Sequence, residues 1–141
     1  MSMSEAVVIV KRVIKADPKL VFEAFTKPEI MSKWFYGMQN GTSEVSNTLE
    51  VGGGFSINMR SPDGKEYMHT GEYREIEPNV RLVFTWNSDY AQDTVVSVSF
   101  RPVSEGTEVT IEHEFLEVSE REPHTRGWTL CLTNLEKYLE R

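Results

Sequence analysis

Three histidines, one cysteine and a glycine triplet are the residues of this chain whose types invite a chemical reading. His113 stands between Ile111 and Phe115 in a stretch that alternates apolar and polar residues, so a two-residue period points its imidazole inward with them. There it would either meet a ligand and move a proton, or sit as a core histidine bonded to backbone or water. Glu112 and Glu114 flank it, and Glu-His-Glu has the ligand types of a metal site. The same period sends both carboxylates to the opposite face. His69, His113 and His124 lack the short paired spacings of zinc motifs, although folding could bring two of them together. Neither a metal nor another cofactor is expected. Cys131 lies on an apolar helical stripe, where a small buried thiol is the ordinary reading rather than a nucleophile. Gly52-Gly53-Gly54 is not a phosphate cradle: no Lys-Ser or Lys-Thr follows it and no helix opens after it, which leaves a sharp bend or bulge in a sheet.

The elements that must position these residues are legible from periodicity. Ala6 to Ile14 is β-branched and apolar and predicts a first strand. Asp17 then caps a short helix opened by Pro18, with Leu20, Val21, Ala24 and Phe25 at helical spacing. Pro28 opens a second, running through Ile30, Met31 and Trp34. From Thr42 to Phe115 the period is two, broken by Pro62-Asp63-Gly64, Glu77-Pro78-Asn79 and Ser104-Glu105-Gly106, which predicts an antiparallel meander. Its inward sets are Phe55, Ile57, Met59; Val80, Leu82, Phe84, Trp86; Thr94, Val96, Val98, Phe100; and Val109, Ile111, His113, Phe115. Gly71 can shift the alternation of its own strand, so the face of Tyr73 stays open. Trp128, Cys131, Leu132, Leu135, Tyr138 and Leu139 repeat at three and four, giving a final helix from Pro123 to near Glu140, roughly 27 Å long. Ser119 and Glu122 form a capping box that competes for its start.

With 141 residues, the chain is expected to form one α+β domain over residues 1–141. A net charge of −7 would repel phosphate backbones and anionic membrane surfaces, so nucleic acid and membrane are not expected partners. The longest apolar run, Ala6 to Val10, is far too short to span a bilayer and follows no basic segment. With one cysteine, this makes a cytoplasmic protein the expectation.

Several runs sharpen this picture: Leu49-Glu50-Val51-Gly52-Gly53-Gly54-Phe55, Met59-Arg60-Ser61-Pro62-Asp63-Gly64, Gly71-Glu72-Tyr73-Arg74-Glu75-Ile76-Glu77-Pro78 and Arg81-Leu82-Val83-Phe84-Thr85-Trp86. With Ala16-Asp17-Pro18, Lys33-Trp34-Phe35, His124 and Gly127-Trp128, they resemble the SRPBCC family related to the activator of the heat-shock protein 90 ATPase, in the START-related, birch-pollen-allergen-like superfamily. The resemblance covers about residues 6 to 140. One departure is Tyr36-Gly37-Met38, where relatives often carry a glycine-proline turn. The resemblance implies a helix-grip fold, a curved antiparallel sheet wrapped around the C-terminal helix. It also implies one of three roles: binding apolar small molecules between helix and sheet, polyketide-cyclase-like chemistry, or contact with a chaperone.

On this reading the expected function is binding of an apolar or aromatic small molecule in a cavity between sheet and helix. Trp34, Phe35, Met59, Phe84, Trp86 and Val98 would wall it, with Trp128 and Leu132 from the last helix. Tyr73 and His113 would supply polar tips, and in the enzyme alternative they are the acid or base. Glu72, Glu75 and Glu77, with Glu108, Glu112 and Glu114, form either a solvated face or, in the co-chaperone alternative, a docking surface for a basic patch.

Overall fold

The computed structural model describes residues 7–140; Ala6, the expected first residue of the first strand, lies outside them. Strand β1 (Val7–Ile14) leads into helices α1 (Pro18–Thr26) and α2 (Pro28–Met31). Six strands follow: β2 (Thr42–Asn47), β3 (Gly54–Arg60), β4 (Glu66–Glu77), β5 (Arg81–Ser88), β6 (Ala91–Val103) and β7 (Gly106–Glu114). Helix α3 (Val118–Leu139) closes the chain. The strands form one antiparallel sheet in the order β1-β7-β6-β5-β4-β3-β2, so the first strand returns to pair with the last. The three helices cover one face of this sheet, and the apolar side chains of that face form a single core.

Local chemistry accounts for the edges of these elements. Asp17 accepts a hydrogen bond from the Leu20 amide at 3.0 Å, and Pro18 occupies the first helical position, where its missing N–H costs nothing. Val21, Phe22, Ala24 and Phe25 turn inward, while Leu20 stays half exposed. Gly52-Gly53-Gly54 lies where β2 turns into β3, and its backbone exchanges hydrogen bonds with Tyr73 at 2.8 and 2.9 Å. In β4 the alternation runs unbroken through Gly71, so Tyr67, His69, Gly71 and Tyr73 share the inner face. The register shift comes later, between Tyr73 and Glu75.

Two residues of the expected inward sets are not inside. Val80 is in the turn before β5 and is exposed. Phe115 is 66% exposed with φ 71°, because the chain leaves β7 there in a left-handed turn. The buried Leu116 then anchors the approach to α3, which begins at Val118 with no side-chain cap. The helix therefore starts earlier than Pro123, and the Ser119–Glu122 capping box does not form. Pro123 sits inside its early turns, where it removes one backbone donor.

The sheet packs too closely at Gly71 to admit a side chain. Gly71 pairs directly with Phe55, and a Cβ at this position would collide with the Thr85 carbonyl oxygen and the Phe55 ring. Gly71→Ala is therefore expected to lower stability by about 1–3 kcal/mol, read by urea denaturation. An unchanged midpoint would show that the sheet does not need this close approach.

Candidate functional site

The site is organised around His113, which is fully buried on β7. The Trp128 indole N–H donates to His113 Nδ1 at 3.0 Å. An indole nitrogen only donates, so Nδ1 accepts and the ring proton resides on Nε2. Nε2–H donates to Thr94 Oγ1 at 2.9 Å, and the Thr94 hydroxyl donates in turn to the Trp86 carbonyl at 2.6 Å. One relay thus runs from α3 through β7 and β6 to β5 with every donor matched to an acceptor. Burial, with a smaller contribution from nearby His124, pushes the His113 imidazole down to about 3. Both ring nitrogens are committed inside the protein.

Beside this relay a cleft of about 410 Å³ opens between the inner face of β3–β5 and the first half of α3. Met59, Trp86 and Trp128 line it, as do Met38, Tyr67 and Tyr90. The Trp86 and Trp128 rings meet at 5.1 Å, and His69 packs on Trp86 at 4.7 Å. Polar groups enter from His69 on β4 and from Glu120 and His124 on α3, and Ser61 and Ser88 also line the cleft. The Trp86 indole N–H, by contrast, is sealed and has no partner.

The space persists because backbone, not side chain, faces it on two sides. Gly37 and Gly127 both line the cleft and pack against each other: a Cβ on Gly37 would lie 3.2 Å from Gly127 Cα. A Cβ on Gly127 would meet nothing within 4 Å. The Asn134 amide fixes this approach by donating to the carbonyls of Trp34 and Tyr36 at 3.3 and 3.2 Å.

The remaining residues expected at a cavity lie elsewhere. Trp34 donates its indole N–H to the Ala24 carbonyl at 3.0 Å and packs edge-on against Phe25. Phe35, Tyr73 and Phe84 belong to a second cluster with Phe55, which leaves only about 10 Å³ of free space. The Tyr73 hydroxyl accepts from Asn47 at 3.0 Å, and burial pushes its pKa above the usual tyrosine value. Val98 and Leu132 are solid core. Cys131 lines the cleft but is buried, and desolvation pushes its thiol up to about 12.

His69 and His124 carry the polar character of the cleft, and both had a readable signal. His69 alternates with Tyr67 and Tyr73, and Glu120, His124 and Trp128 recur at helical spacing. The fold brings the His113 and His124 rings to 5.2 Å. Among the described residues no group of three or more His, Cys, Asp or Glu side chains could hold a metal ion. No helix among them is long and apolar enough to cross a membrane.

A seven-stranded antiparallel sheet gripping a long C-terminal helix defines an α+β, helix-grip protein. A family model described as activator of Hsp90 ATPase homolog 1-like protein matches residues 15–140, and the chain belongs to that family, in the SRPBCC superfamily. No functionally curated protein matches it. Among solved structures, a protein from Chromobacterium violaceum shares 24% identity at a TM-score of 0.88, covering 96% of this chain and 98% of that one. A protein from Nitrosomonas europaea shares 24% at 0.83, covering 99% and 97%. The AHSA1-like protein from Aeromonas hydrophila shares 24% at 0.83, covering 95% and 92%. At this identity the likeness establishes the fold alone.

The relay makes stability depend on pH. The native His113 ring stays neutral down to about 3, whereas the unfolded chain takes up a proton near 6.5. The unfolded state therefore binds more protons as pH falls through this window, and stability present above about 6.5 is lost progressively towards 3, by up to about 1.4 kcal/mol per pH unit. His69, also lowered by burial, adds in the same direction. His113→Leu is expected to lose about 1–3 kcal/mol near neutrality, because the Trp128 N–H is orphaned, and to show a shallower acid decline. Urea midpoints across pH check both; parallel pH profiles would remove His113 as the source.

Proposed function

We propose that this protein binds a small apolar or aromatic molecule in the cleft between β3–β5 and α3. The observation that carries this reading is a space of about 410 Å³ walled by indoles, phenols and methionines within an otherwise filled core. That volume falls in the range of small-molecule sites, and the mix of apolar walls with few polar groups matches their composition. Burial of ligand apolar surface, at about 25 cal/mol per Å², would drive affinity. Nothing in this reading requires turnover.

The chaperone-contact reading, which the family description raises, rests on the acidic outer face. Much of that face is internally paired: Arg74 lies on Glu72, Arg81 on Glu75 and Arg101 on Glu108. Exposed pairs of this kind reduce the field a basic partner would feel. The cleft is the more specific feature. A lone, buried and unreactive Cys131 agrees with a cytoplasmic setting.

A thermal-shift panel of fatty acids, sterols and planar aromatics tests the proposal. A ligand at 100 times its dissociation constant adds about 2.7 kcal/mol of stability. Gly127→Leu supplies the control, since Gly127 lines the cleft and a Cβ there has open space to extend into, while helix propensity improves by roughly 0.5–1 kcal/mol. The variant is expected to fold and to lose the shift. Absence of any shift in the parent protein, or undiminished binding by the variant, would overturn the proposal.

A further inference from the structure

The tautomers of the two cleft histidines are set by what they touch. His69 Nδ1 lies 3.3 Å from the Ile57 carbonyl oxygen, and His124 Nδ1 lies 2.8 Å from the Glu120 carbonyl oxygen. A carbonyl oxygen only accepts, so each Nδ1 carries the proton, and in the neutral ring each Nε2 is left as a bare acceptor. This is the reverse of His113, whose Nδ1 accepts and whose Nε2 donates within the relay. Burial lowers the affinity of His69 for a second proton, which keeps its Nε2 an acceptor.

A third acceptor stands beside them, the Glu120 carboxylate, 3.5 Å from His124 Nδ1. Against these three acceptors the lining residues include no lysine and no arginine. A ligand carboxylate or phosphate entering the cleft would meet these lone pairs and a like charge, and the hydroxyls of Ser61, Tyr67, Ser88 and Tyr90 that also line it bring no cation to offset its desolvation. A hydroxyl donor would meet acceptors already oriented by backbone bonds, beside a stacked indole-imidazole wall formed by Trp86 and His69.

We infer that the ligand of this cleft is an uncharged aromatic bearing a hydroxyl hydrogen-bond donor, of the phenol type, recognised by Nε2 of His69 and His124, and not an aromatic or fatty carboxylate. The inference rests on the binding role proposed above and narrows it to one ligand chemistry. The indoles supply the apolar contact, and the imidazoles select for the donor.

Three probes that share one ring system separate the terms: 2-naphthol, naphthalene and 2-naphthoate, measured by equilibrium dialysis at about pH 7.5. One net hydrogen bond corresponds to about a three- to ten-fold gain, so 2-naphthol is expected to bind tighter than naphthalene by that factor. The naphthoate is expected to bind about ten-fold or more weaker than the naphthol. In His69→Phe and His124→Phe, which keep a ring but remove Nε2, the naphthol preference over naphthalene should shrink while naphthalene binding persists. Equal binding of naphthol and naphthalene, naphthoate binding as tight as naphthol, or a naphthol preference unchanged in both variants would overturn the inference and leave cleft binding standing. Binding of none of the three probes would overturn the inference, and the thermal-shift panel then decides separately whether the binding role stands.

Discussion

Every polar atom of a fully buried imidazole must find its partner inside the protein, because no water can replace one that is missing. His113 meets this demand by accepting from Trp128 and donating to Thr94, which passes the bond on to the backbone of Trp86. The relay joins α3 to three adjacent strands, and its two ends belong to the two tryptophans that wall the cleft. The same bonds that satisfy His113 therefore hold the Trp128 indole directly and anchor the backbone of Trp86. A group whose type suggests acid-base catalysis has both ring nitrogens bonded within the protein.

The interface between sheet and helices is solid at one end and open at the other. At the solid end Phe25, Phe35, Phe55, Tyr73 and Phe84 interdigitate edge-to-face, and almost no free volume remains. At the open end two glycines meet where the loop after α2 crosses α3, and no side chain grows from either into the space. A core that packs densely in one half has the means to pack in the other. The gap follows from the residue types placed there, which suits a site that something else fills.

Electrostatics divides the two faces of the sheet by role. On the outer face Glu72, Glu75 and Glu108 form exposed arginine pairs that contribute little to stability. The interior keeps few polar groups, and Nδ1 of each of its three histidines has a carbonyl or an indole N–H as its partner. Membership of the Hsp90 ATPase activator-like family accounts for the scaffold, and a scaffold of this kind hosts different chemistries through the side chains placed in its cleft.

Most of the architecture was legible in the amino-acid sequence, because strand alternation, the Asp17-Pro18 cap and the stripe from Trp128 to Leu139 are local patterns repeated often enough to read. The inward face of His113 and the ordinary nature of Cys131 followed from the same periods. The exceptions, Val80, Phe115 and the start of α3, lie at element ends, where a turn or a buried neighbour such as Leu116 overrides the pattern. Periodicity names the face a residue takes but not the depth or the company it finds there. Trp34, Phe35, Tyr73 and Phe84 thus share an interior with Met59, Trp86 and Trp128, yet only the last three border the cleft. The meeting of Gly37 with Gly127, and the tautomers of His69, His113 and His124, depend on contacts between segments distant in the chain. Only the tertiary structure decides those, because a void and a hydrogen-bond direction are properties of what lies across a gap.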